Sequence, residues 1–261
     1  MKNISEIDYY NEHAKEKLDS FYNVNRRLDG AWKTLNEYLP RKISSVLEIG
    51  CGVGDMSYKM SKKWKNATIT GIDLSDTAIK IANHLFGSEK IKYYNGSFNV
   101  IDFDKTFELV VLFDVYEHIA PSDRTLFNER LNKLLQPGGY LFMAIPSAAY
   151  QDYIKKFFPE KLQPVDESLT LDVFHSLAST CNAELLFYKN VNIYYEGDYT
   201  HIVFRKKSEI NRYEKTVTIN KPFVLRAIEK SFEYIIYKNP IFSRRVIRLI
   251  KTRRKLRQMK L

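Results

Sequence analysis

Short apolar runs alternate with amphipathic segments along the first two hundred residues of the chain. Runs of about five apolar residues predict buried strands, and apolar residues spaced by three or four predict helices. The predicted strands are 45–50, 67–72, 91–94, 107–113 and 140–145. The predicted helices are 9–20, 27–38, 55–64, 76–86, 123–135 and 169–181. Because strands and helices alternate, the pattern predicts a parallel doubly wound α/β sheet.

Two further apolar stretches, 184–195 and 199–205, are joined through Glu196-Gly197-Asp198 and predict a hairpin. With them the sheet has seven strands, mostly parallel, with an antiparallel edge. The Pro137-Gly138-Gly139 segment is expected to end the preceding helix sharply. The chain then divides into an N-terminal helical cap, a core and a C-terminal helical extension, at 1–40, 41–206 and 207–261.

Three glycines, Gly50, Gly52 and Gly54, follow the first predicted strand. In a doubly wound sheet this loop lies at the carboxyl edge, where ligands bind. Without a Cβ atom the backbone can approach a ligand closely and adopt positive φ. The spacing G-x-G-x-G differs from the G-x-G-x-x-G of dinucleotide-binding loops. The alternative is a tight strand–helix turn that binds nothing.

Two carboxylates favour a ligand in this loop. Glu48, two residues before the first glycine, would repel a pyrophosphate but suits the ammonium group of a methionyl moiety. Asp73 ends the second strand, where a carboxylate can accept both hydroxyls of a ribose. Leu74 beside it can pack on an adenine ring.

Four motifs together carry a resemblance to a known family. LEIGCGVGD, GIDLS, FDVYEHI and LLQPGGYLFMAIP follow the order and spacing of class I S-adenosylmethionine (SAM)-dependent methyltransferases, and the likeness spans about residues 8–206. The resemblance implies SAM as the cofactor and S-adenosylhomocysteine (SAH) as its product. The cofactor site that it implies contains Glu48, Gly50, Cys51, Gly52, Gly54, Asp73, Leu74, Ser97, Phe98 and Asp114. Ser97 stands where many members have an acidic residue that meets the adenine amine, so a hydroxyl or backbone contact must substitute.

A hydroxyl acceptor must lose its proton during methyl transfer, which calls for a base. His118, just after the fourth strand, is the candidate, because imidazole accepts a proton near pH 7 without a large pKa shift. The alternative is that His118 binds a loop carbonyl or fixes Glu117. His175 and His201 are expected to be structural.

Acceptor recognition is expected from the N-terminal cap and from the insertion 146–166. In the family, aromatic cap helices close over the methionyl end of the cofactor, and long strand–helix connections are often lids. The candidate acceptor-binding residues are Tyr10, Tyr22, Tyr116, Ser147 and Tyr150. Lysines in the insertion suit a polar or anionic acceptor. The alternative for both segments is a packing helix.

The basic residues are concentrated at the C-terminal end. The whole chain has 41 Lys and Arg and 31 Asp and Glu, a net charge of +10. Residues 205–261 contain 18 of the basic and 4 of the acidic residues, which leaves 23 basic and 27 acidic residues in 1–204. A uniformly basic RNA-binding surface is therefore not expected on the core.

Residues 241–261 contain nine basic residues and no acidic ones, with apolar residues at helical spacing. Such a helix can pack on the protein, lie on an anionic membrane surface or contact RNA phosphates. Packing ranks first and nucleic acid last, because RNA-binding proteins usually add a folded module or exposed stacking aromatics.

The two cysteines, Cys51 and Cys181, form neither a disulfide framework nor a metal-ligand spacing. No secretory signal and no apolar run near 20 residues is present, so we expect a metal-free cytoplasmic protein, with the inner membrane surface as a second location. The function expected is O-methylation of a polar or anionic small metabolite or of a bacterial surface polysaccharide precursor. The alternatives are an N-methyltransferase, a tRNA methyltransferase that uses the basic tail, and a SAM-binding regulatory protein.

Overall fold

The computed structural model describes residues 7–14 and 25–208, all of which belong to one compact unit. The predictions for Tyr22, for the rest of the first helix and for the basic helix 241–261 lie outside the described residues. In the described part of the chain, no helix has the length and apolar character needed to cross a membrane.

The described residues form seven strands and seven α-helices. The strands are β1 Ser45–Ile49, β2 Thr68–Asp73, β3 Ile91–Asn95, β4 Phe107–Phe113, β5 Leu135–Pro146, β6 Ala183–Val191 and β7 Tyr199–Lys206. The helices are α1 over residues 7–14, α2 Arg26–Tyr38, α3 Asp55–Lys63, α4 Asp76–Phe86, α5 Arg124–Leu134, α6 Ala148–Phe157 and α7 Leu171–Thr180. Two short 3-10 turns cover Tyr116–His118 and Pro159–Lys161.

The strands form a single sheet in the order β3-β2-β1-β4-β5-β7-β6. Neighbouring strands are parallel except β7, which is antiparallel to both β5 and β6. The predicted seven-stranded sheet is therefore confirmed, and its antiparallel edge is the β6–β7 hairpin. The strand order reverses between β1 and β4, which opens a crevice at their carboxyl ends.

Helices cover both faces of this sheet, as the continuous apolar character of the central strands requires. Helices α2, α3 and α4 pack on one face, where Val46, Leu109 and Val111 point. Helices α5 and α7 pack on the other face, against Leu47 and Val110. All of these strand side chains are fully buried.

The fifth strand begins earlier than predicted. Helix α5 ends at Leu134, and β5 starts at once with Leu135, which pairs with Phe107. Regular pairing resumes only at Tyr140 opposite Leu109, so the Pro-Gly-Gly segment lies in an irregular part of the strand. Gly138 adopts φ +77 there. The prediction of a sharp helix end is right, but the residues after it are strand and not loop.

The hairpin strand β6 ends at Val191, four residues before its predicted end. The Asp198 carboxylate accepts the backbone N–H groups of Ile193, Tyr194 and Tyr195 instead. These three N–H groups are therefore satisfied by a side chain, so the segment leaves the strand ladder. The other described boundaries lie within two residues of those predicted.

Candidate cofactor and acceptor site

The glycine loop after β1 adopts the conformation that its sequence predicts. Gly50, Gly52 and Gly54 have φ values of +71, +51 and +83. A Cβ atom on Gly50 would lie 2.3 Å from a methyl carbon of Val115, and one on Gly54 would lie 2.6 Å from the Tyr93 hydroxyl. Both positions therefore need glycine for space as well as for backbone conformation.

A solvent-open cavity of about 870 Å³ lies at the carboxyl ends of β1, β2 and β4. This volume includes space at the mouth that is open to solvent. Eight of the predicted site residues line it: Tyr10, Gly50, Asp73, Leu74, Ser97, Phe98, Asp114 and His118. Further lining residues that the motifs did not indicate are Asn99, Val115, Ile119, Ala120, Asp123 and Phe127.

Asp73 is held rigidly at the cavity wall. Its Oδ2 accepts the backbone N–H of Gly52 at 2.7 Å, and its Oδ1 accepts that of Ser75 at 2.9 Å. Two backbone donors fix the carboxylate without using all of its acceptor capacity. Helix α1 lies nearby, because Asn11 Oδ1 accepts a hydrogen bond from the Ser75 hydroxyl at 2.8 Å. Tyr10 of the same helix lines the cavity.

Glu48 does not line the cavity. It points to the face covered by α3, where the Ser57 hydroxyl donates to its Oε2. Burial raises the pKa of Glu48 well above its usual range. The predicted contact with a ligand ammonium group is therefore not formed by this geometry; Glu48 joins β1 to α3 beneath the loop. Gly52, Gly54 and the buried Cys51 likewise shape the loop without lining the cavity.

Three predicted acceptor-binding residues lie elsewhere. Tyr116 is fully buried among core side chains and its hydroxyl donates to Asn128 Oδ1 at 2.9 Å, so its predicted role is wrong. Ser147 is buried and caps α6 by accepting the N–H of Tyr150. The Tyr150 ring stacks on Tyr153 and Tyr195, outside the cavity lining.

His118 lines the cavity, but its ring is fixed by the insertion 146–166. Nδ1 lies 2.7 Å from the Val165 carbonyl oxygen and 3.2 Å from Asp166 Oδ1, and Nε2 lies 3.8 Å from Glu117 Oε1. Burial lowers the pKa of His118, but Glu117, Asp166 and the carbonyl together raise it to about 9. The pKa near 7 expected for His118 is therefore wrong. The contact with the Val165 carbonyl agrees with the alternative role, in which His118 binds a loop carbonyl.

An ion pair that the sequence did not reveal lies beside the cavity. The Arg27 guanidinium of α2 donates to Asp114 Oδ2 at 2.8 Å and to the Tyr199 hydroxyl at 3.3 Å. Asp114 has φ +53, an uncommon conformation for a residue other than glycine, at the end of β4. Strained residues of this kind cluster at functional sites.

Known proteins share a domain and a fold with this chain. Residues 46–139 match the family model described as a methyltransferase domain. A putative SAM-dependent methyltransferase structure from Listeria monocytogenes has a TM-score of 0.57 at 17% identity, covering 69% of this chain and all of that one. The fold is that of class I SAM-dependent methyltransferases, which confirms the resemblance carried by the four motifs.

The names of individual relatives differ in the acceptor atom, which is oxygen in some and nitrogen in another. A ubiquinone biosynthesis O-methyltransferase of Aromatoleum aromaticum is 33% identical over 132 residues, which are 49% of this chain and 53% of that protein. A malonyl-[acyl-carrier protein] O-methyltransferase of Priestia megaterium is 25% identical over 55% of this chain and 52% of that protein. The N-methyltransferase NodS of Bradyrhizobium japonicum, solved with SAH, has a TM-score of 0.55 at 19% identity, over 71% and 87% of the two chains. The chain spans about half the length of the two curated O-methyltransferases that it matches.

Proposed function

We propose that the chain binds SAM in the cavity at the carboxyl ends of β1, β2 and β4, and transfers its methyl group to an oxygen of a small molecule. The observation that carries the proposal is the Asp73 carboxylate, fixed by two backbone N–H groups at the wall of a cavity lined also by Gly50. A carboxylate held in this way is preorganised to accept hydroxyl groups of a ribose.

The adenine ring would lie between Leu74 and Phe98, which line the cavity together with Gly96. The Ser97 hydroxyl already accepts the backbone N–H of Asn99 at 3.3 Å. The Asn99 Oδ1 atom is buried and has no hydrogen-bond partner in the described residues. We therefore assign the contact with the adenine amine to Asn99, with Ser97 holding the turn.

SAM supplies a methyl group bonded to a sulfonium. An acceptor oxygen forms the new bond to the methyl carbon while the carbon–sulfur electron pair returns to sulfur, and the hydroxyl proton leaves to a base or to water. The protein contributes alignment of the acceptor with the methyl group and exclusion of water, since the transfer needs no nucleophile from the protein. His118 carries a proton at neutral pH, so as a base it would raise the rate only as the pH approaches about 9.

Two relatives named as O-methyltransferases support transfer to oxygen, whereas the NodS structure shows that an N-methyltransferase shares the fold. A His118→Ala variant separates the two. Loss of activity at alkaline pH supports a base for a hydroxyl acceptor, and nearly full activity favours a nitrogen acceptor. The expected acceptor remains a small metabolite or a surface-glycan precursor in the cytoplasm.

Incubation of the protein with isotope-labelled SAM and a cell metabolite extract tests the proposal. The expected result is a labelled product, identified by mass, together with an equal amount of SAH. Boiled protein provides the background. Calorimetric binding of SAH without any labelled product would contradict the enzymatic function and support the regulatory alternative.

A further inference from the structure

A polar cluster of partly and fully buried side chains adjoins the cofactor cavity on the side of α2 and β7. We call it the Asp114 cluster; it consists of Arg27, Asp114, Glu117, Tyr199 and His201. The ion pair between Arg27 and Asp114 lies at its centre, with the Tyr199 hydroxyl 3.3 Å from the same guanidinium nitrogen. Asp114 also lines the cofactor cavity, so the cluster is continuous with it.

The sheet register explains why these residues meet. The Asp114 backbone N–H donates to the Ala144 carbonyl at 2.9 Å, and Ala144 pairs with His201 across the next strand. Tyr199 lies two residues before His201 and therefore on the same face of β7. Helix α2 crosses this face, with Thr34 Oγ1 2.8 Å from His201 Nδ1.

Three atoms of the Asp114 cluster are buried and have no hydrogen-bond partner among the described residues. They are Asp114 Oδ1, Glu117 Oε2 and His201 Nε2. The Glu117 side chain is only 2% exposed. Native proteins rarely leave a buried carboxylate oxygen without a partner, because the lost contacts with water are then not replaced. Of the two carboxylates, Asp114 lines the ligand cavity, so its unpaired oxygen indicates a hydrogen-bond donor on a bound molecule.

The charges around the cavity favour the same kind of ligand. Three carboxylates line it: Asp73, Asp114 and Asp123. Of the nearby cations, Arg27 is paired with Asp114 and His118 faces both Glu117 and Asp166. Arg124 donates to the Ile119 carbonyl and keeps one buried guanidinium nitrogen without a partner among the described residues. An anionic acceptor would meet unpaired carboxylate oxygens.

The lysines of the insertion 146–166, which suggested an anionic acceptor, do not line the cavity. Lys156 lies over the Phe157 ring at 5.2 Å, and Lys161 lies over the Phe158 ring at 4.3 Å. Both cations therefore contact aromatic rings of their own segment.

We propose that the Asp114 cluster binds the methyl acceptor, and that the acceptor is a neutral or cationic molecule which donates hydrogen bonds through hydroxyl or amino groups. Asp114 accepts these bonds at the cavity wall, and Arg27 and Glu117 act as positioning residues beside it. This inference rests on the proposed methyl transfer, and it excludes the anionic part of the polar or anionic acceptor class expected from the sequence.

A metabolite extract separated by charge at pH 7 tests the inference. Anion-exchange-bound, cation-exchange-bound and unbound fractions are each incubated with the full chain and isotope-labelled SAM. We expect the labelled product from the unbound or cation-exchange-bound fraction. A labelled product from the anion-exchange-bound fraction alone overturns the inference and leaves the methyltransferase function standing. No labelled product in any fraction contradicts the proposed function, and the inference falls with it.

A Glu117→Gln variant then tests the cluster with the acceptor isolated above. The amide keeps the side-chain shape but replaces one acceptor oxygen beside Asp114 by an NH₂ group, so we expect the KM for the acceptor to rise at least about tenfold while the Kd for SAH stays within twofold. Glu129→Gln, on the exposed side of α5, is the matched control and should change neither constant. An unchanged acceptor KM in Glu117→Gln contradicts the inference. If this variant does not fold, Arg27→Gln provides the same readout, since the Arg27 side chain is 40% exposed.

Discussion

Replacement of Asp73 by Asn tests the cofactor site at the residue that carries the assignment. Asp73 accepts two backbone N–H groups, from Gly52 and from Ser75, on different oxygens. An asparagine has a single acceptor oxygen, so its NH₂ group must face one of these N–H groups. The variant therefore loses one hydrogen bond beneath the glycine loop, and it also loses the negative charge presented to a ribose.

Both losses can be given a magnitude. An unsatisfied buried N–H group costs about 1–3 kcal/mol, which lowers the Tm by roughly 2–12 °C for a domain of this size. A hydrogen bond to a charged group contributes about 1.5–3 kcal/mol, so the Kd for SAH should rise between about 10-fold and 150-fold.

Isothermal titration with SAH, together with thermal unfolding, measures both effects of Asp73→Asn. Asp76→Asn is the matched control, because Asp76 begins α4 three residues later with a half-exposed side chain and pairs with Lys80. The control should keep the SAH affinity of the wild type. An Asp73→Asn protein that binds SAH as tightly as the wild type would refute the assignment of the cavity.

Two further predictions concern residues whose environment differs from expectation. Because the pKa of His118 rises from 6.5 to about 9 beside Glu117 and Asp166, its protonation stabilises the fold fully below pH 6.5 and ceases to do so as the pH rises through about 9. Thermal unfolding should show His118→Gln destabilised at pH 6 by up to about 3 kcal/mol relative to the wild type. The difference in free energy of unfolding should become smaller as the pH is raised to 10, and a constant difference contradicts the prediction. Tyr116→Phe removes only the hydroxyl bonded to Asn128, so it should lower stability by about 1 kcal/mol and leave the acceptor KM unchanged. A raised acceptor KM in this variant would restore Tyr116 to the acceptor site.

The sequence predicts the sheet well where one period dominates. The bounds of α4 and β4 agree with the prediction to the residue, because helical spacing and a continuous apolar run leave no alternative there. The start of β5 was missed because Pro-Gly-Gly normally marks a break, whereas here it occupies an irregular part of the strand. The end of β6 was missed because Asp198 competes for its backbone N–H groups.

Of the predicted site residues, those at or directly after strand ends lie at the cavity, since the carboxyl edge of a parallel sheet fixes their position. Gly50, Asp73 and Leu74 belong to this group. Glu48 was misplaced because side chains alternate along a strand: Ile49 lines the cavity, so its neighbour Glu48 faces α3. Arg27 could not be found from sequence, because its partner Asp114 lies 87 residues away and meets it only in the fold.

Calorimetric titration of SAH, with NADH in a parallel experiment, tests the central claim most directly. The cavity beside the glycine loop predicts binding of SAH at one site per chain and no measurable heat from NADH. Absence of SAH binding, or binding of NADH in its place, would contradict a cavity built for the SAM nucleoside.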